Sequence, residues 1–365
     1  MTGRNPTSRA MAALVVVVMT TACLGSMPRD RRSSPLPLPR ARDSFAGAAG
    51  FAEGSSLPDR TDAELATELD GMAASGARLL RIDVDWWLVQ ETPTSWNWGP
   101  IDRIVDAARA RDLAVLGMIG YTPPWARPPG TTDKHPPSKP GEYASFARSA
   151  VRRYAPRGVR HWEIWNEPNI ARFWQPAPDP AAYTALLRAS YRAIKDADAG
   201  ATVISGGLSP APDAPDGARI APVTFLRGVY AAGGRGYFDA LGHHPSNYPY
   251  MPLKPERDHN DNAFRGVTPV LYDTMVRNGD GTKRIWATEM GAPTVGGMTP
   301  EYLAAYLTQA YTAWRSWPYT GPLFWYSYRD AWFDPRDREA NFGLVRTDGV
   351  AKEPALAAYR RVVRR

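Results

Sequence analysis

WEIWNEPN, residues 162–169, is an apolar run that stops abruptly in Asn166, Glu167 and Pro168. A short apolar run without alternation reads as a strand buried on both faces, the form that parallel sheets take. Polar residues packed at the carboxyl end of such a strand mark the rim of an open α/β sheet or barrel, where ligands sit. The same form recurs along the chain. It is seen in LLRIDVDW (79–86), LAVLGMIGY (113–121), TVISGGLSP (202–210), FDALGHHP (238–245), IWATEMGAP (285–293) and GPLFWYSYRD (321–330), with a first strand near Ala48–Phe51.

Helical patterns separate these runs. TDAELATELDGMAASG (61–76) opens on a Thr61 or Asp62 N-cap, carries Leu65, Leu69 and Met72 on one face, and stops at Gly76. IDRIVDAARARD (101–112), YASFARSAVRRYAPR (143–157), AAYTALLRASYRAIKDADAG (181–200) and TPEYLAAYLTQAYTAWRS (299–316) follow the same period. Eight strands alternating with helices predict an α/β fold, a single-domain (β/α)8 TIM barrel. A doubly wound nucleotide-binding sheet is disfavoured, because no GxGxxG follows the first strand. Ser246–Val267 is a polar, Pro-rich insertion after the sixth strand, either a solvated excursion or a wall of a cleft.

Two carboxylates stand out on that scaffold. Glu167 ends the fourth strand and Glu289 ends the seventh. A carboxylate at the end of a buried strand is costly unless it faces a polar cleft. Glycoside hydrolysis needs such a pair, one group protonated to donate to the leaving oxygen and one ionised to attack the anomeric carbon or activate water. The structural alternatives are a helix-dipole carboxylate for Glu167 and an ion pair with Arg81 for Glu289.

Taken together, these motifs resemble glycoside hydrolase clan A, with the cellulase-like family 5 and xylosidase-like family 39 the most similar. The resemblance covers residues 48–365 and rests on the order of WEIWNEPN and IWATEMGAP with Arg81, His244 and Trp325 around them. It implies a retaining O-glycosyl hydrolase acting on a polysaccharide or oligosaccharide of the cell envelope or environment. Glu167 would be the acid/base and Glu289 the nucleophile. Asn166 would bond the sugar 2-hydroxyl, Arg81 would support the nucleophile, and Trp325 would floor the sugar subsite. His244 matches the strand-six histidine, with His243 the lesser candidate. Ser246 interrupts the usual His-Pro-Tyr, so Tyr248 is the expected substitute for a tyrosine beside the nucleophile. A transglycosidase on the same scaffold, or a carbohydrate-binding lipoprotein without turnover, are the alternatives.

The composition fits this reading. The chain has 365 residues, 13 Trp and 17 Tyr, and many of the aromatics fall in loops, where they could stack sugar rings or simply pack. Trp86, Trp87, Trp125 and Trp174 are such candidates, with Tyr121 at the end of the third strand. The net charge of +7 is spread along the chain with no basic stripe, so nucleic acid is not an expected partner. Five histidines without HxH or HExxH spacing imply no metal, and nothing implies a cofactor.

The amino terminus reads as an export signal. Arg4 and Arg9 precede MAALVVVVM (11–19), and Cys23, the one cysteine of the chain, follows Thr20, Thr21 and Ala22. This is similar to a bacterial lipoprotein box, with Thr20 where leucine is usual; an ordinary cleaved signal with an incidental cysteine is the alternative. Residues 1–22 are then the signal, 23–44 a Pro-, Ser- and Arg-rich tether, and 45–365 the catalytic domain. The expected product is an exported monomer, held to the membrane only by lipid on Cys23.

Overall fold

The computed structural model describes residue 45, residues 47–254 and residues 263–364. The leader, the tether and Cys23 lie outside these. Eight parallel strands close into a barrel in chain order. They are β1 (Ala49–Ala52), β2 (Leu79–Asp85), β3 (Ala114–Gly120), β4 (His161–Asn166), β5 (Thr202–Gly207), β6 (Ala240–His243), β7 (Arg284–Met290) and β8 (Thr320–Trp325), with β8 pairing back onto β1. The α/β barrel expected from the sequence is the observed fold.

Helices return the chain between strands: α1 (Asp62–Ala74), the single turn α2 (Trp86–Val89), α3 (Gly99–Arg109), α4 (Pro140–Tyr154), α5 (Pro180–Ala197), α6 (Pro222–Ala231), α7 (Thr268–Arg277), α8 (Pro300–Ser316) and, after β8, α9 (Ala355–Val363). Several start on local chemistry visible in the sequence. Thr61 caps α1 in a capping box with Glu64, and Asp179 caps α5 just ahead of Pro180. Gly76 follows α1 at φ +92°, a left-handed turn that glycine adopts without a steric cost.

Strand alternation divides the apolar side chains into two clusters. Ala52, Leu79, Leu116, Ile204, Ala240, Trp286 and Phe324 fill the barrel interior. Their strand neighbours, such as Phe51, Leu80, Ile82, Ile164, Leu241 and Trp325, point outward and pack under the helices. The inward set thins out toward the carboxyl ends of the strands. Polar groups replace it there, and that is where the cleft opens. Among the described residues, no helix is long and apolar enough to cross a membrane.

Candidate active site

The inner face of β2 carries Leu79, Arg81, Asp83 and Asp85 in successive layers, because residues two apart share a face. Arg81 lies just below the mouth and is 1% exposed. Its Nε donates to Glu163 Oε2 at 2.6 Å, its Nη1 to Glu289 Oε1 at 2.6 Å and its Nη2 to Asn166 Oδ1 at 2.9 Å. One guanidinium thus ties β2 to β4 and β7. Burial disfavours its charge, but Glu163, Glu289 and Asp83 outweigh that and hold its pKa above the ordinary arginine value.

Glu163 is fully buried on the inner face of β4. Its Oε1 accepts from the Gly207 amide at 2.8 Å and from Thr288 Oγ1 at 2.9 Å. Both carboxylate oxygens are therefore satisfied, as a buried ion pair requires. Gly207 has a steric reason to be glycine. A Cβ there would meet His244 Nε2 at 2.1 Å and Thr288 Oγ1 at 2.5 Å.

The end of β4 is bent. Trp165 has φ +69° and Glu167 has φ +44°, both in the left-handed region that non-glycine residues enter at a cost of about 1–3 kcal/mol. The bend is held from several sides. The Glu167 amide donates to Gly207 O at 3.0 Å, and Trp165 Nε1 donates to Phe173 O at 2.6 Å. Asn169 fastens the following loop through Ser209 and Ile220. The result turns the Glu167 side chain into the cleft.

His244 connects the two glutamates across the mouth. Its Nδ1 lies 3.0 Å from Glu167 Oε1 and 3.7 Å from Glu289 Oε2, and its Nε2 lies 3.2 Å from Thr288 Oγ1. Burial disfavours its charge, yet Glu289 and Glu167 raise its pKa above the ordinary value. His243 has a different place. It is buried between Leu208 O and Ala263 O, both 3.2 Å away, and burial lowers its pKa to about 4.

These groups open into a cleft of about 1220 Å³. Asn166, Glu167, His244, Glu289, Tyr121 and Tyr248 all line it. So do Ser246, Asn247, Tyr250, Ala263, Gly266 and Val267 of the insertion after β6, whose residues 255–262 lie outside the described ones. Tyr121 lies under Lys134 Nζ, which sits 3.0 Å above its ring. Tyr248 stands edge-on to Phe342 at 5.5 Å, with Arg338 5.9 Å from its ring.

Three aromatic residues expected in the cleft are elsewhere. Trp325 is fully buried on the outer face of β8, edge-on to Tyr306 of α8 at 6.2 Å. It is one residue out of phase, and a slip of one residue in a strand moves a side chain to the opposite face. The cleft position belongs to Tyr326. That residue is half-buried and lines the cleft, and burial followed by the Glu289 charge raises its hydroxyl pKa. Tyr326 and Tyr121 both feel Glu289, whereas burial and then the charges of Arg338, Glu339 and Glu167 act on Tyr248. Trp86 is fully buried, stacked on Phe146 with Nε1 donating to Gln90 Oε1 at 2.7 Å. Trp125 stands edge-on to Trp86 at 5.3 Å and donates to Gln90 O at 3.0 Å. Both build the outer layer, because an indole that finds an internal acceptor packs as core.

Glu163, Asp83, Lys134 and Tyr326 also belong to this site, outside the motifs that mark it in the sequence. The alternation of RIDVD, residues 81–85, did carry a signal for Asp83, since it places Arg81, Asp83 and Asp85 on one face.

No family model matches the chain. A β-xylosidase of Geobacillus stearothermophilus is 30% identical over 128 residues, which is 31% of this chain and 25% of that protein. Among solved structures, a family 39 glycoside hydrolase from Bacteroides cellulosilyticus WH2 superposes with a TM-score of 0.69 at 24% identity, covering 87% of this chain and 64% of that one. The GH39 enzyme from Xanthomonas axonopodis pv. citri gives 0.67 at 20% identity, covering 89% and 67%. GH5_18 from Streptomyces cattleya gives 0.65 at 19%, covering 88% and 81%. At these identities the likeness is one of fold. The chain spans a quarter of the curated relative's length and 64% of the first family 39 structure.

Proposed function

We propose that this chain is a retaining glycoside hydrolase of the clan A type, with Glu167 as acid/base and Glu289 as nucleophile. The observation that carries the proposal is the meeting of both carboxylates at one nitrogen of His244, with Glu289 clamped from behind by Arg81. Two oxygens 3.0 and 3.7 Å from one atom lie no farther apart than those distances laid end to end. That bound accommodates the close spacing of retaining enzymes, about 5–5.5 Å between carboxyl groups. The fold shared with family 39 and family 5 structures supports the same reading.

Each group then has a task. Glu289 attacks the anomeric carbon while Glu167 gives its proton to the departing glycosidic oxygen, forming a glycosyl ester on Glu289. Water, deprotonated by Glu167, then opens that ester and restores both groups. Arg81 holds Glu289 in line by a charge-assisted hydrogen bond. His244 positions the Glu167 carboxyl, and Asn166, its Oδ1 held by Arg81, is oriented toward a sugar hydroxyl. The substrate class is a polysaccharide or oligosaccharide. An envelope location follows from the sequence of residues 1–44, with lipid on Cys23 as its most specific form.

Proton NMR of the first-formed product from an aryl glycoside tests the stereochemistry. The proposal expects the anomeric configuration of the substrate in the initial product; the opposite anomer would overturn the retaining assignment.

A further inference from the structure

Asp83 stands outside the hydrogen-bond network around Arg81. It is 7% exposed and lines the cleft, and its Oδ1 is buried without a hydrogen-bond partner among the described residues. A desolvated carboxylate without donors is costly, and burial is the chief cause that pushes the Asp83 pKa up to about 6. The cations on this wall are already engaged. Lys134 Nζ pairs with Asp133 at 3.0 Å, and Arg329 reaches Glu68 and the Thr347 carbonyl. Glu53 beside it is held by the Tyr328 amide at 2.6 Å. Gly54 lies against the other Asp83 oxygen, where an added Cβ would stand in ordinary contact, 3.9 Å from Asp83 Oδ2. Tyr121 lines the cleft on the same side, and the Asp83 charge acts on its hydroxyl.

A carboxylate that lines a cleft and finds no hydrogen-bond partner in its own chain for its inner oxygen is built for donors that arrive with a ligand. An ionised carboxylate only accepts, and its two oxygens suit two neighbouring hydroxyls. We infer that Asp83 is a specificity residue that accepts from a pair of ring hydroxyls of the sugar seated between Glu167 and Glu289. The same geometry makes this wall select a neutral sugar over a uronate, because Asp83 and Glu289 repel a ligand carboxylate. This inference rests on the glycosidase reading.

The test uses the full chain, Asp83→Asn and Asp83→Ala, with folding verified by thermal unfolding. A panel of 4-nitrophenyl pentosides, hexosides and hexuronides is assayed, followed by single-deoxy analogues of the glycoside turned over best. Wild type is expected to prefer neutral glycosides. One deoxy position should cost about 10- to 100-fold in kcat/KM, as does loss of a hydrogen bond to a charged group, and should cost Asp83→Asn little more than it has already lost. Equal losses in wild type and Asp83→Asn at every deoxy position, or preference for the uronide, would overturn the inference. If wild type cleaves no glycoside, the glycosidase reading fails, and calorimetry with methyl glycosides decides the subsite separately. Binding by wild type that Asp83→Ala abolishes supports it, and absence of sugar binding overturns it.

Discussion

Arg81 Nη1 lies 2.6 Å from Glu289 Oε1, while the Nε of the same guanidinium lies 2.6 Å from Glu163 Oε2. One cation thus joins a carboxylate at the cleft to a carboxylate sealed inside the barrel. Lysine cannot reproduce this, because an ammonium lacks the planar fork that serves three acceptors at once. Arg81→Lys should lower stability by about 3–5 kcal/mol, the usual cost of leaving a buried charge unpaired. It should also lower kcat/KM by about 100-fold or more, since Glu289 loses its alignment. Chemical denaturation and steady-state kinetics read the two effects. A variant with unchanged stability would show that Glu163 is satisfied without Arg81.

The placement of β8 separates structure from chemistry at adjacent residues. Trp325 packs outward under α8, and Tyr326 lines the cleft together with Glu289. Trp325→Phe should cost about 1–3 kcal/mol of stability by leaving a gap in the outer core, with kcat/KM within about twofold of wild type. Tyr326→Phe should leave stability within about 0.5 kcal/mol, yet lower kcat/KM by about tenfold. The reverse pattern would mean that β8 is set one residue out of the register described.

Much of this arrangement could be read before any coordinates. The eight apolar runs fixed the order of strands and therefore the barrel, and Glu167 and Glu289 stood out because each breaks such a run at its carboxyl end. The run at β8 was less informative. In LFWY, residues 323–326, all four side chains are large and apolar or aromatic, so nothing shows which pair faces inward. Trp86 and Trp125 are ambiguous in the sequence for a related reason. An indole is suited equally to a core and to a sugar platform, and only the acceptors offered by Gln90 decide for the core. Glu163 is fully buried, and its function depends on Arg81 and Thr288 from strands distant in sequence, which no local pattern announces.

Asp85 gives a pH test of the acidic layer above Arg81. It is 3% exposed, and burial followed by the neighbouring Asp83 charge pushes its pKa up to about 8. The unfolded value is about 3.9. Below that both states are protonated and Asp85 costs nothing. As pH rises from about 4 to about 8, the unfolded chain has lost this proton while the fold retains it, so the Asp85 contribution falls with pH. Asp85→Asn removes this titration. Its stability relative to wild type should therefore rise between about pH 4 and pH 8 and then level off, by on the order of a few kcal/mol. Denaturant unfolding across that range measures it, and a constant difference would contradict the protonated state of Asp85.

The central claim is that Glu289 forms a bond to sugar. Glu289→Ala assayed on an activated aryl glycoside, with and without azide, tests it most directly. The account predicts loss of hydrolysis by the variant and recovery on adding azide, with a glycosyl azide of inverted configuration as the product. The small anion would occupy the space left by the carboxylate and attack the same face. A variant that still binds the glycoside but yields no azide adduct, or one that hydrolyses it at the wild-type rate, would contradict the assignment.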